Sequence, residues 1–193
     1  MRYGGTLIAV SDMEKAKYFY EVVMEQKVAM DLGVHVAFIG GVSLQSNYEE
    51  LVGVKLETRA QPNNFQLYFE VENLDYWEEK LKATEGIVFI HESKEYPWGQ
   101  RVMRFYDYDQ YIVEVSESME SVAKRFLAQG LSVEETAERT MFPAEFVKSL
   151  AKQLFCYRRK AGGGIVKTLC RRSARLDQCD ASCVTAVPVV PVA

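Results

Sequence analysis

Residues 100–115 read QRVMRFYDYDQYIVEV, from Gln100 to Val115, and they say most about how the chain folds. The stretch divides into two short strand-forming runs joined at Asp107-Tyr108-Asp109-Gln110. Asp residues favour such a turn because their side chains accept hydrogen bonds from nearby backbone amides. The run after it, Tyr-Ile-Val-Glu-Val at 111–115, is aromatic and β-branched, the composition of a strand. Glu114 stands out within it. Successive strand side chains point to opposite faces, so Glu114 faces away from Val113 and Val115. A carboxylate placed there either meets water or lines a cavity.

Working back from this hairpin, residues 65–71 read as a strand. Asn73 caps a helix at 74–84 that sets Leu74, Trp77 and Leu81 on one face. Residues 88–91 and 101–106 supply two more strands, with Pro97 and Gly99 breaking the chain between them. The order is strand, helix, strand, strand, strand. The first part of the chain repeats it. A strand at 6–10 leads to an N-cap at Ser11 or Asp12. A helix at 13–24 follows, with Ala16, Phe19, Tyr20 and Val23 at helical spacing. Strands at 27–31, 34–39 and 42–45 come next, punctuated by Gly33 and Gly40-Gly41. Residues 46–64, with a short helix at 48–52, read as a linker. GTLIAVSDMEKAKYFY from Gly5 lies over QLYFEVENLDYWEEKL from Gln66, 61 residues later, so that Val10 falls on Val71 and Asp12 on Asn73. Self-similarity at this spacing points to duplication of one structural unit. Two copies are too few for a solenoid and predict a closed pseudo-symmetric pair.

Two such units in succession resemble the vicinal oxygen chelate superfamily, which includes glyoxalase I, extradiol dioxygenases, fosfomycin-resistance enzymes and bleomycin-resistance proteins. The resemblance covers about residues 1–118. Its most specific part is RFYDYDQYIVEV, which resembles the family's closing signature: an aromatic residue, D-P-D-G, then a short strand carrying Glu. Here Tyr108 stands for the Pro and Gln110 for the Gly, with the spacing to Glu114 kept. The resemblance implies an α+β fold in which two βαβββ modules, at about 1–46 and 64–118, form an open eight-stranded barrel-like cup.

Metal-dependent members hold a divalent ion with one residue from each of four strands. Carried onto this chain, those positions fall at Gly5, Gln45, Gln66 and Glu114. Glycine has no side chain to donate, and amide oxygens are weak ligands beside imidazole or carboxylate. Ni, Zn or Fe sites usually draw on several His, Cys or carboxylate groups. The expectation is no tightly bound metal and no other cofactor, with a divalent ion kept as the alternative. His91 would change that balance if it turned inward; it and His35 are read here as strand histidines.

Without a metal the cup still suits a small molecule. If Glu114 and Gln66 face inward, alternation places Tyr68, Glu70 and Ile112 beside them and packs Leu67, Phe69 and Val71 under the helices. Leu7 and Ala9 line the first half, and Trp98, Arg101 and Met103 lie nearby. The expected ligand contacts are Gln45, Gln66, Tyr68, Trp98, Arg101 and Glu114. Two function classes follow. One is a binding protein that sequesters its ligand without a metal, as bleomycin-resistance members do. The other is a glyoxalase-like lyase using a divalent ion through Glu114. The first is the reading adopted, with no catalytic residue assigned.

Charge divides the chain unevenly. Up to Phe155 there are 16 Lys+Arg against 25 Asp+Glu, net −9; from Cys156 onward there are 7 against 2, net +5. An acidic body suits a cationic or aromatic ligand. No apolar run is long enough to span a membrane and no basic, apolar leader opens the chain, so a cytoplasmic location is expected. Residues 119–155 read as helices, with a capping box at Ser132 and Glu135 and a third helix from Pro143. The pattern is like a helix-turn-helix. Its five Lys+Arg are matched by five Glu over residues 119–154, however, and a nucleic-acid reader should be basic. Helix packing or a homodimer contact is expected instead. Residues 156–193 hold all four cysteines, at spacings matching no zinc pattern, and look compositionally foreign. That tail is expected to be a poorly ordered or non-native extension.

Overall fold

The computed structural model describes residues 1–57 and 59–161. Two four-stranded mixed sheets carry the fold. In the first, β1 (Thr6–Ala9), β2 (Val28–Asp31), β3 (His35–Phe38) and β4 (Val42–Gln45) lie in the order β1-β4-β3-β2. In the second, β5 (Gln66–Val71), β6 (Val88–Glu95), β7 (Arg101–Tyr106) and β8 (Ile112–Glu117) lie in the order β5-β8-β7-β6. The topologies are identical. β1 pairs with β4, and β5 with β8, in parallel; the remaining pairs are antiparallel. The duplication expected from the 61-residue offset is therefore real, and the architecture is an α+β open cup of two βαβββ modules with C-terminal helices.

Each parallel pair needs a crossover, and a helix supplies it. In the first module α1 (Met13–Tyr18) continues into a π-helical turn, Phe19–Val23. The linker after β4 contributes the short α2 (Tyr48–Val52). In the second module the crossover helix is α3 (Leu74–Lys82). Equivalent side chains start both crossover helices: Asp12 accepts from the Lys15 amide and Asn73 from the Tyr76 amide. These bonds satisfy amides that a helix N-terminus leaves unpaired. The π turn buries Phe19, Tyr20 and Val23 together.

One core serves both modules. Ile8, Phe19, Tyr20, Val36 and Leu44 of the first pack in the same cluster as Leu67, Leu74, Leu81, Met103, Phe105, Val113 and Val115 of the second. Phe19 contacts Phe105 edge-on, with ring centroids 6.3 Å apart, and Tyr108 at 5.4 Å. Burying one such aromatic is worth roughly 2–3 kcal/mol. Alternation leaves the opposite face of each sheet outside this core.

β6 runs to Glu95, past the end expected at residue 91. Its polar second half, Glu92-Ser93-Lys94-Glu95, occupies the sheet edge, where charged side chains are tolerated. Beyond β8 come α4 (Met119–Gln129), α5 (Val133–Thr140) and α6 (Ala144–Ala161). The capping box at Ser132 and Glu135 is formed. Met1–Leu154 make one compact unit, so α4 and α5 belong with the sheets. α6 runs on beyond the boundary drawn at Cys156, and residues 162–193, with the expectation placed on them, lie outside the described residues. No described helix is long and apolar enough to cross a membrane.

Candidate functional site

The hairpin 106–112 locks the modules together. Oδ1 of Asp107 accepts from the amides of Asp109 (3.0 Å) and Tyr111 (2.8 Å), closing the turn. Its Oδ2 accepts from the hydroxyl of Tyr20 on the first module's π turn. Burial pushes the Asp107 carboxyl up to about 6, with the Tyr20 hydrogen bond opposing it, and burial also holds the Tyr20 phenol well above its usual range. Asp109 accepts from the Ser11 amide and hydroxyl, both at 2.7 Å, and the Tyr111 hydroxyl donates to the Ala9 carbonyl. Gln110 adopts the left-handed conformation (φ +66) for which the signature has glycine. The turn is kept, with the strain carried by a glutamine.

The turn sets the register of β7 on β8: Tyr106 opposes Ile112, Arg104 opposes Glu114 and Val102 opposes Ser116. β5 adds Gln66 beside Ile112, Tyr68 beside Glu114 and Glu70 beside Ser116. These residues share the concave face. Glu114 is 6% exposed, and its Oε2 accepts from Gln66 Nε2 at 2.7 Å and pairs with Arg104 Nη2. Arg104 also donates from Nε to Gln66 Oε1 (3.2 Å) and from Nη1 to His91 Nε2 (3.0 Å) and the Tyr96 hydroxyl (2.6 Å). His91 Nδ1 lies 2.8 Å from the Glu92 carbonyl. A carbonyl only accepts and a guanidinium only donates, so the ring carries its proton on Nδ1 and accepts at Nε2. No partner for Glu114 Oε1 exists among the described residues. Tyr68 is half exposed; its hydroxyl donates to Glu70 Oε1 and accepts from Ser116 and Gln100.

Of the residues expected to contact ligand, Gln66, Tyr68 and Glu114 thus come together. Trp98 joins their margin: its indole donates to Gln100 Oε1, and Gln100 Nε2 reaches Ser116 and Tyr68. Arg101 does not join them. It is in phase with the buried Met103 and Phe105, on the helix-covered face, and pairs with Asp75 and Glu117. Burial raises the Glu117 carboxyl, but hydrogen bonds from Arg101 and the charge of Arg125 outweigh it, so the group sits below its usual range.

Gln45 lies in a separate cluster on the first sheet. Its Oε1 accepts from His35 Nδ1 and its Nε2 donates to the Ser46 carbonyl. The duplicated register also moves the third position of the family's metal set. Leu7 is the counterpart of Tyr68; Leu7 pairs with Ser43 as Tyr68 pairs with Glu114. Ser43, not Gln45, is therefore the counterpart of Glu114. Gly5 is closed as well. A Cβ there would sit 2.3 Å from the Gly41 carbonyl oxygen, which accepts from the Thr6 amide, and its φ is +133.

The residues present do not fit a divalent ion. Gly5 and Ser43 offer at most a hydroxyl, Gln66 an amide already bonded on both sides, and Glu114 a carboxylate already paired with a guanidinium. Among the described residues, no three His, Cys, Asp or Glu side chains gather as a metal set. A hollow of about 560 Å³ lies against the linker, lined by Glu57, Arg59 and 61–64, and one of about 200 Å³ lies beside Asp107. Neither is lined by Glu114, so the concave face is distinguished by chemistry rather than enclosed volume.

Residues 3–120 match the sequence profile of the glyoxalase-like domain. A solved structure of a protein of unknown function from Agrobacterium tumefaciens is 31% identical with a TM-score of 0.56, covering 61% of this chain and 94% of that one. A glyoxalase-related enzyme from Fulvimarina pelagi is 19% identical (TM-score 0.51; 61% and 88% covered). A glyoxalase/bleomycin resistance protein/dioxygenase family enzyme from Burkholderia phytofirmans is 14% identical (TM-score 0.51; 59% and 96% covered). At the two lower identities the likeness is one of fold. Comparison with curated proteins gives no match.

Proposed function

The chain belongs to the glyoxalase-like domain family, and from that premise we propose that it binds a small organic molecule on the concave face of its second module, without a tightly bound metal ion. The observation that carries this reading is the ion pair between Glu114 and Arg104. Glu114 is the one carboxylate among the four family positions, and a guanidinium already neutralises it. A divalent ion would have to displace Arg104 from Glu114, leaving the guanidinium without its carboxylate among Gln66, His91 and Tyr96.

The ligand this face suits carries a hydrogen-bond donor and a flat or cationic part. The half-exposed Tyr68 donates its hydroxyl hydrogen to Glu70 on its own strand and is the register partner of Glu114 on β8. One Glu114 oxygen is left to accept, and an exposed aromatic ring beside the Glu70 carboxylate attracts cations. The net −9 of residues 1–155 acts in the same direction. A glyoxalase-like lyase reading has no comparable support, because its metal would rest on Glu114 alone.

The test joins two measurements. Elemental analysis of protein purified without chelator is expected to give well under one equivalent of Ni, Zn, Fe or Mn. A thermal-shift screen of small aromatic amines is expected to give hits that weaken in Glu114→Gln while the unliganded fold persists. Stoichiometric metal that disappears in Glu114→Gln would overturn the reading in favour of the metal-dependent lyase.

The same proposal includes a homodimer. Met30, Leu32, Val34 and Ile39 are exposed at the β2–β3 end of the first sheet, a concentration of apolar surface that pairing would cover. Sedimentation at tens of micromolar is expected to give twice the monomer mass; a clean monomer counts against it.

A further inference from the structure

We propose that helix α4 is a clamp that positions the ligand-facing residues, with Arg125 and Phe126 acting through the turn at 96–99. This rests on the concave face of the second module being the ligand site; the coupling itself is tested without any ligand.

The turn joins β6 to β7 and is tightly drawn. The Gly99 amide donates to the Tyr96 carbonyl at 2.7 Å and the Tyr96 amide to the Gln100 carbonyl at 2.9 Å. Three side chains in and beside it reach the site. The Tyr96 hydroxyl accepts from Arg104, the guanidinium that pairs with Glu114. Trp98 stacks on Tyr96, with centroids 4.9 Å apart and planes 22° apart, and holds the Gln100 side chain through its indole. Gln100 in turn reaches the Tyr68 hydroxyl and Ser116.

The outer side of this turn is covered by α4. The Phe126 ring lies so close to Gly99 that a Cβ on that glycine would fall 2.0 Å from the ring's Cζ. Arg125 Nη2 donates to the Gly99 carbonyl and to Glu117 Oε2, while Nη1 reaches Glu95 at the end of β6. Arg139 of α5 holds Glu95 from a second direction and stacks on Phe126, with its guanidinium carbon 4.5 Å from the centroid. One helix thus grips both ends of the turn. A surface turn without such contacts opens readily, and the angle between Tyr96 and Arg104 would be lost with it.

The chain has two histidines and two tryptophans, which makes the coupling measurable. His91 shares Arg104 Nη1 with Tyr96, whereas His35 sits in the first sheet against Gln45. In a Trp77→Phe background, Trp98 is the one indole left. Arg125→Met is expected to shift the His91 ring ¹⁵N signals, leave those of His35 in place, and raise acrylamide quenching of Trp98 about twofold, as local opening of the turn requires. Arg125→Lys, which keeps the charge beside Glu117 but cannot span three acceptors, is expected to give the same changes at smaller amplitude and guards against a variant that fails to fold. Lys124→Met, on the same helix but paired outward with Glu120, is expected to change neither signal. Unchanged His91 and Trp98 signals in Arg125→Met would overturn the clamp, as would equal shifts at His35 and His91, which mark general loosening. If coupling is present but thermal-shift hits ignore Glu114→Gln, the clamp stands and the ligand-site reading falls.

Discussion

Tyr20 donates its hydroxyl hydrogen to Asp107 over 2.6 Å, joining the first module's helix to the second module's hairpin across 87 residues of sequence. Both groups are buried, and the carboxyl titrates near 6 rather than its usual 3.8, first because of burial and further because of Asp109 nearby. The fold therefore favours protonated Asp107. Its contribution to stability is fully present below about pH 4 and is lost as pH rises through 6. Asp107→Asn keeps the Oδ1 acceptor for the Asp109 and Tyr111 amides and removes the charge. Its Nδ2 replaces the acceptor of Tyr20, whose hydroxyl must turn to accept from it, an exchange that lowers the gain from removing the charge. We expect it to raise stability at pH 7.5 by on the order of 2 kcal/mol, since moving a carboxyl's titration by one pH unit between the unfolded and folded chain is worth about 1.4 kcal/mol. The gain should vanish by pH 4. Urea unfolding at both pH values checks this; equal effects at the two would contradict it.

The left-handed Gln110 makes a second, independent expectation. A non-glycine residue in that conformation carries roughly 1 kcal/mol of strain, and the Gln110 side chain is exposed. Gln110→Gly should stabilise the protein by about 0.5–1 kcal/mol, less than the full strain because glycine also loosens the unfolded chain. Chemical denaturation reads this directly, and a loss of stability would mean that the glutamine makes a contact worth more than its strain.

The hairpin that carries these two residues also marks where the sequence is legible and where it is not. The duplication is visible because equivalent positions do equivalent work, Asp12 and Asn73 capping matching helices. The face of Glu114 follows from alternation, and Gln66 and Tyr68 with it. Arg104 is within reach of the same reasoning. A hairpin closing at Asp107 that pairs Tyr106 with Ile112 must put Arg104 opposite Glu114. Arg101 is nearer the break at Pro97 and Gly99, which makes it look like a site residue, yet it belongs to the other phase of the strand. The assignment of Gln45 to the metal set fails for a different reason. The register of a parallel pair is set by the crossover between its strands, and β1–β4 and β5–β8 are spanned by connections of different length. No local pattern in Val42-Ser43-Leu44-Gln45 reports that Ser43 is the counterpart of Glu114. Nor does any local pattern report that α4 folds back on Gly99.

The last expectation concerns Gly5, where a missing ligand and a backbone constraint coincide. A ligating side chain such as histidine cannot simply be placed there. Its Cβ would fall 2.3 Å from the Gly41 carbonyl oxygen, and φ +133 is strained for any residue with a side chain. Relieving the clash means pulling β1 away from Gly41 and losing the Thr6 amide bond to that carbonyl. Such strain costs roughly 1–3 kcal/mol before the bond is counted. Ser43→Glu alone places a second carboxylate at the register position matching Glu114, yet leaves Glu114 held by Arg104. The double variant Gly5→His with Ser43→Glu is therefore expected to melt several degrees lower than the parent and to bind Zn²⁺ or Ni²⁺ at well under one equivalent by calorimetric titration. Adding Arg104→Met frees Glu114 and should raise metal uptake, at the expense of further stability. Full occupancy in the double variant, with melting unchanged, would show that neither the Gly41 contact nor the Arg104 pair keeps the ion out.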